Sequence, residues 1–377
     1  MIVRPGSTLG MLGGGQLGRM FVIAAKTMGY EVIVLDPDLN SPAGSMASEH
    51  LVQGFDHQQS LDYLAANCSA ITTEFENIPA ATLEYLAQSV PVHPAASALR
   101  IAQNRKQEKA FFKELGLLTA DFLAIESIAD IQAAADFKFP AILKTNTLGY
   151  DGKGQVVCHS FGELTAAFQS VGEKPCVLEQ RINLACEVSV VLCRSQQGEV
   201  ECFPVAENSH ANGILDITLA PARIPDEMSD RVIAAAKAIA NGLDYCGVLA
   251  VEFFIDDADR VLVNEMAPRP HNSGHYTIDA CDSSQFEQQV RMICGLPAGS
   301  CQQHSAVAMW NILGDIWPDG GVPAWEELLK FDQAKLHLYG KKEARPGRKM
   351  GHVNCLGDDL EQAEVLLLRV VAALTSV

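Results

Sequence analysis

Two glutamates in the second half of the chain, Glu252 and Glu265, stand where carboxylates are costly unless something neutralises them. Glu252 interrupts the apolar run 248–255, and Glu265 follows Val261, Leu262, Val263 and Asn264. The acidic stretch Asp256-Asp257-Ala258-Asp259 between the runs predicts a β-hairpin. A four-residue loop at 257–260 would set the two glutamates opposite each other. Paired oxygen donors of this kind suit Mg²⁺, which keeps waters and shares substrate phosphates. The plainer alternative is a carboxylate pair at a sheet edge, neutralised by a nearby arginine such as Arg269.

Other residues could bind anions. Lys144 ends the apolar stretch 140–144 and is followed by Gly149-Tyr150-Asp151-Gly152-Lys153-Gly154. Those glycines let backbone N–H groups approach a polyphosphate, although a flexible hairpin with a snorkelling lysine uses the same residues. No G-x-x-x-x-G-K-[ST] sequence occurs, so a nucleotide here is not held by a P-loop. Gly13-x-Gly15-x-x-Gly18, with Asp36 lying 18 positions after Gly18, matches a dinucleotide-binding fingerprint. The same glycines serve any strand–turn–helix unit that brings an anion, or its own backbone, to a helix N-terminus. His271 and His275 have the interval of a helical zinc pair, but Pro268, Pro270 and Gly274 favour a polar substrate loop instead. Lys341, Lys342, Arg345, Arg348 and Lys349 form either a solvated basic loop or a phosphate site.

The elements that must position these residues follow from periodicity. Residues 7–12, 17–28 and 31–36 read as strand, helix and strand, a β-α-β opening, with a further strand at 70–76 and a polar helix at 97–115. Strands are expected at 140–144, 155–158, 176–180, 187–193 and 200–206, and a helix at 226–243. The hairpin then spans 247–255 and 260–267, and a last helix begins near 359. The first region is α/β and the second α+β. At 377 residues the chain calls for two or three domains. Boundaries fall near 100 and 300. A formal charge of −18 argues against general affinity for nucleic acid or anionic membranes. The 11 scattered cysteines read as reduced, buried hydrophobes. No secretory signal or membrane-length apolar run is evident, so a cytoplasmic protein is expected.

Taken in order, the glycine-rich opening, Lys144 with its glycine loop, Glu179-Gln180, Glu252 and Asn264-Glu265 resemble the ATP-grasp superfamily. TTEFENIP (72–79), TNTLGYDGKGQ (145–155), NEMAPRPHNSGH (264–275) and RPGRKMGH (345–352) resemble, more specifically, the PurK family. The resemblance implies an ATP-grasp fold: a Rossmann-like pre-ATP-grasp domain at 1–100, an ATP-grasp domain at 101–300 with a small lid subdomain about 119–181, and a C-terminal segment at 301–377 completing the substrate site. It implies ATP and Mg²⁺, and carboxylation of 5-aminoimidazole ribonucleotide by bicarbonate through carboxyphosphate in purine (IMP) biosynthesis, by a homodimer.

By this likeness Arg105 and Lys144 contact ATP phosphates, and Gly149, Tyr150, Asp151, Gly152, Lys153, Gly154 and Gln155 close over the nucleotide. Glu179, Gln180, Arg181 and Ile182 line the adenine slot, Glu187 meets the ribose with His210 nearby, and Asn264 flanks the nucleotide. Glu252 and Glu265 hold magnesium. Tyr150, His271, Asn272 and Ser273 surround the ribonucleotide, with Asp151, Lys153 and His271 as catalytic groups. Lys341 and Arg348 take its 5′-phosphate, and Gln16, Glu74 and Glu76, the last two on one strand face, are further pocket candidates. Ala267 stands where many distant members have an asparagine metal ligand, leaving that position to Asn264 or water. The alternatives are a formate- or amino-acid-using ligase of the same superfamily, or an NAD-binding oxidoreductase built on residues 13–36.

Overall fold

The computed structural model describes residues 2–147, 154–318 and 321–375, whose strands form three sheets. The opening unit is a parallel sheet in the order Glu49–Leu51, Glu31–Leu35, Thr8–Leu12, Ala70–Thr73. Helix Gln16–Thr27 buries Met20, Phe21, Val22 and Ala25 against it, an i, i+4-type stripe that explains why this segment is helical. Its core is closed from far along the chain, by Phe286, Val290 and Ile293 of helix Gln285–Ile293. Gln289 of that helix, 1% exposed, donates to Thr72 Oγ1 at 2.7 Å and accepts the Val248 N–H at 2.5 Å. Breaking either bond strands a buried polar group at about 1–3 kcal/mol, so this amide locks the opening unit to the central sheet.

A small antiparallel sheet runs Phe122–Ile125, Cys176–Gln180, Ala141–Thr145, Gln155–Cys158, over a core containing Ile131, Leu164 and Phe168. The third sheet is antiparallel and holds nine strands. Its order is Val261–Ala267, Gly247–Asp256, Leu184–Arg194, Ala206–Ala211, Ile214–Ala220, Ala306–Leu313, Lys349–Gly357, Ala334–Leu338, with Val200–Cys202 paired to Leu184–Arg194. The C-terminal strands therefore extend the same sheet that carries the glutamate hairpin.

Three elements differ from the sequence reading. The helix expected at 97–115 is two, Ala96–Ala102 and Arg105–Glu114, because the Asn104 side chain caps the second by accepting the Gln107 N–H at 3.0 Å. The strand expected at 200–206 breaks at Pro204, which cannot donate to a ladder, into Val200–Cys202 and Ala206–Ala211. The strand expected at 70–76 ends at Thr73, so Glu74 and Glu76 do not share a strand face. All eleven cysteines are free thiols. Among the described residues no helix is long and apolar enough to cross a membrane.

Candidate active site

The glycine loop is filled by the protein itself. Gly15 N–H and Gly18 N–H both donate to the Glu74 carboxylate, the latter at 2.7 Å, and Gly14 N–H donates to Asp36 Oδ2 at 2.7 Å. An internal carboxylate thus takes the anion position at a helix N-terminus, where the dipole and free N–H groups favour negative charge. A Cβ on Gly18 would lie 2.9 Å from the Gly13 carbonyl oxygen and 3.1 Å from Glu74 Oε2, which is why glycine stands there. The dinucleotide reading of residues 13–36 is overturned, since both the pyrophosphate position and the ribose-binding acid are engaged within the chain. Glu74 also borders a cleft, the smaller of two that meet at Glu252 and Glu265. Both its oxygens hold the loop, and burial pushes its pKa up against the pull of those two N–H groups.

Glu252 and Glu265 are opposed across the hairpin Gly247–Asp256 and Val261–Ala267. Near the turn the pairing is offset by one residue from the register a 257–260 loop sets, and a bulge at Asn264 restores it. Arg105 Nη1 lies 2.8 Å from Glu265 Oε2, and His271 Nε2 lies 3.3 Å from Glu252 Oε1. Burial raises both carboxyls. For Glu265 the charge and hydrogen bond of Arg105 outweigh it, and its pKa is lowered. For Glu252 burial and then the Glu265 charge push the pKa to about 7, with His210 partly opposing. One carboxylate is ionised and its neighbour tends to keep a proton, the signature of a site short of positive charge. A divalent cation would supply it, and oxygen-only donors fit Mg²⁺. Among the described residues no group of three or more His, Cys, Asp or Glu is arranged to hold a metal.

Two clefts meet at this pair. One, of about 630 Å³, is lined by Lys144, Gln155, the run Glu179, Gln180, Arg181 and Ile182, and by Glu187, His210 and Asn264. The other, of about 460 Å³, is lined by Gln16, Glu74, Glu76 and Arg269. Arg105, Glu252, Glu265, His271, Asn272 and Lys349 border both. In the larger cleft Lys144 Nζ sits 2.9 Å from Glu179 Oε2, and His210 Nδ1 2.8 Å from Glu187 Oε2. In the smaller, Arg269 Nε donates to Glu76 Oε2 at 2.5 Å; burial raises the Glu76 carboxyl, but the arginine's charge wins and lowers it. The Asn272 amide is buried without a hydrogen bond on either atom, an unsatisfied donor–acceptor pair beside both clefts. Gly154 borders a separate cavity together with Gln155. Gly149, Tyr150, Asp151, Gly152 and Lys153 lie outside the described residues.

Ser273 is a further correction, for it is fully buried and lines neither cleft. Its hydroxyl belongs to a directional chain: Asn208 Nδ2 donates to Ser189 Oγ at 2.9 Å, and Ser189 donates to Ser273 Oγ at 2.8 Å. Ser273 Oγ stands 2.9 Å from His271 Nδ1. The Ser273 N–H also points at Nδ1, at 3.3 Å, so that nitrogen accepts and the neutral ring carries its proton on Nε2, toward Glu252. Burial and the charges of Arg269 and Lys349 hold the His271 pKa well below the usual range. His275 forms no zinc pair with it; its ring stacks on His352 with centroids 4.7 Å apart, and its Nδ1 faces Gln285.

Lys341 and Arg348 border neither cleft. Lys341 Nζ donates to the Lys349 carbonyl at 2.7 Å and Arg348 Nη1 to the Glu343 carbonyl at 2.8 Å, while Lys349 reaches the junction. Glu108 and Lys109 are not singled out by the sequence, where they read as part of a polar helix. Glu108 accepts the Met266 N–H at 2.8 Å, and burial and Glu265 push its pKa to about 8. Both are almost wholly buried, and the only signal in the sequence is an i, i+3/i+4 relation to Arg105.

A lysine-bearing sheet and a carboxylate hairpin enclosing one cleft, with a second cleft beside it, define an ATP-grasp enzyme, and a sequence profile of the ATP-grasp domain matches residues 110–286. Profiles of the ribonucleotide synthetase preATP-grasp domain and the phosphoribosylaminoimidazole carboxylase C-terminal domain match 7–103 and 307–365. The N5-carboxyaminoimidazole ribonucleotide synthase of Brucella melitensis is 44% identical over 354 residues, covering 93% of this chain and 96% of that protein. The solved ADP complex of a purK N5-carboxyaminoimidazole ribonucleotide synthetase superposes with a TM-score of 0.92 at 42% identity, covering 98% and 97% of the two chains. That of N5-carboxyaminoimidazole synthase from Aspergillus clavatus with ADP and 5-aminoimidazole ribonucleotide gives 0.91 at 30% identity, covering 98% and 99%. The chain belongs to the PurK family, the N5-carboxyaminoimidazole ribonucleotide synthases, and is an ATP-dependent carbon–nitrogen ligase.

Proposed function

We propose that this chain carboxylates the exocyclic amine of 5-aminoimidazole ribonucleotide, using ATP and bicarbonate and releasing ADP and phosphate, in purine biosynthesis. The observation that carries this reading is the meeting of two clefts over Glu252 and Glu265, with Arg105, His271, Asn272 and Lys349 common to both. ATP lies in the larger cleft, its adenine along the backbone of 179–182, its ribose at Glu187 and its phosphates toward Arg105 and Lys144. Mg²⁺ bound by Glu252 and Glu265 would neutralise charge on the transferring phosphoryl group.

A bicarbonate oxygen attacks the γ-phosphorus, the bond to ADP breaks, and carboxyphosphate forms at the junction. Arg105 and Lys144 offset the charge that gathers during this transfer. The amine of the ribonucleotide, held in the smaller cleft by Gln16, Glu76 and Asn272, then attacks the carbon of carboxyphosphate or of the CO₂ released from it beside the amine. The bond from that carbon to the phosphate oxygen breaks, in the attack or before it, and phosphate leaves with the proton that the amine gives up. His271 presents an N–H at Nε2, so it serves as a hydrogen-bond donor at the junction rather than as a base. Lys349, which borders both clefts, meets the 5′-phosphate first, and Lys341 and Arg348 of the same basic stretch join it by leaving the backbone carbonyls they bond in the nucleotide-free protein, with Tyr150, Asp151 and Lys153 as further substrate-side groups. The protein works as a cytoplasmic homodimer. A coupled ADP-release assay tests the reading: turnover should require both 5-aminoimidazole ribonucleotide and bicarbonate. Turnover supported instead by formate or an amino acid would assign another ligase reaction to the same fold.

A further inference from the structure

Helix Arg105–Glu114 sends a second cation toward the nucleotide cleft, and the mechanism above leaves it without a task. Lys109 lies one turn after Arg105, is 1% exposed, and places Nζ 3.2 Å from Glu179 Oε1. Lys144 Nζ is 2.9 Å from the other oxygen of the same carboxylate. One buried glutamate therefore carries two ammonium groups. Lys144 and Glu179 line the nucleotide cleft, whereas Lys109 lines neither cleft. Among the described residues, Lys109 Nζ and Glu179 Oε1 have each other as their close polar contact. Burial raises the Glu179 carboxyl, but Lys144 and Lys109 outweigh it and its pKa is lowered. Burial draws the Lys109 pKa down, Glu179 opposes this, and the Lys144 charge adds to the lowering.

Lys144 cannot serve a nucleotide phosphate and remain fully committed to Glu179. Were it the sole counter-ion, its departure would strand a buried carboxylate, a penalty that would cancel much of the attraction between lysine and phosphate. We propose that Lys109 is the standing counter-ion of Glu179, which frees Lys144 to leave that carboxylate for a nucleotide phosphate. Departure of Lys144 also relieves repulsion between the two ammonium groups and leaves a one-to-one pair. Lys109 is thus a positioning residue acting through Glu179 and Lys144. The inference rests on the placement of ATP phosphates at Lys144.

Lys109→Met removes the counter-ion and keeps the bulk. Calorimetric titration with a non-hydrolysable ATP analogue should show a loss of about tenfold in affinity, with a matching rise in KM for ATP and no change in KM for the ribonucleotide. The double variant Lys109→Met/Glu179→Gln removes the carboxylate that traps Lys144 and should recover most of that loss. Unchanged analogue affinity in the single variant, or no recovery in the double, would overturn the proposal. Should the single variant fail to fold, the double variant is compared with wild type: affinity within about threefold supports the proposal and a loss of tenfold or more overturns it. Wild-type ADP release independent of the ribonucleotide and bicarbonate would sink the proposed function, yet leave this binding comparison intact.

Discussion

Replacing Glu252 by glutamine should stabilise the nucleotide-free protein while abolishing turnover. The Glu252 pKa is displaced from 4.5 to about 7, because burial and then the Glu265 charge disfavour its anion. A raised carboxyl means that the folded state binds more protons than the unfolded one between those values. Stability is then fully present below about pH 4.5 and falls as pH rises toward 7 and beyond. By pH 8 the loss is about 3 kcal/mol, at roughly 1.4 kcal/mol per pH unit of displacement. Glutamine matches the shape and carries no charge, so Glu252→Gln should gain stability over wild type at pH 8 and little at pH 5. Glu265→Gln should do the opposite, leaving Arg105, whose side chain is 11% exposed, without its partner. Thermal melts at the two pH values, with and without magnesium, separate the cases. Wild type alone should gain stability from Mg²⁺ at pH 8, and both variants should lose ATP turnover by orders of magnitude. Equal melting of wild type and Glu252→Gln at pH 8, or full activity in the variant, would refute the idea that this pair is short of a cation.

Other outcomes follow from single contacts. Arg348→Ala should raise KM for the ribonucleotide about tenfold, with a smaller fall in kcat and little effect on KM for ATP; the reverse pattern in a kinetic titration would transfer the basic stretch to the nucleotide site. Burial lowers the His210 pKa, but the hydrogen bond and charge of Glu187 outweigh it, so the pair stabilises the fold below pH 6.5 and loses that contribution as pH rises through the raised value. An NMR titration should therefore find the His210 midpoint lower in Glu187→Gln. Ser273→Ala, which breaks the donor chain behind His271, should reduce kcat about tenfold and move both KM values by less than about twofold; unchanged kcat would mean that packing alone holds the ring. Saturation-transfer NMR should show contact with ATP and none with NAD, because Glu74 and Asp36 occupy the groups a dinucleotide would need.

The sequence by itself determined the elements with a strong local period and the chemistry those elements carry. Two apolar runs flanking an acidic turn were enough to put Glu252 and Glu265 on the two strands of one hairpin, but their direct opposition depends on the bulge at Asn264, because the turn itself sets a register offset by one residue. The order of Lys144, Glu179, Glu252 and Glu265 was likewise readable, through its resemblance to the ATP-grasp superfamily. What only the tertiary structure decided is which distant group satisfies each buried donor or charge. Glu74 fills a glycine loop 59 residues before it, so a fingerprint that locally fits a dinucleotide is engaged within the chain. Ser273 sits behind His271 rather than before a substrate, and Lys349 reaches the junction while Lys341 and Arg348 bond to backbone carbonyls. Lys109 and Glu108 read as solvated helix charges until the small sheet and the hairpin are packed against them. Local patterns encode period and register; the partner of a buried charge depends on desolvation by elements far away in sequence, which no local spacing records.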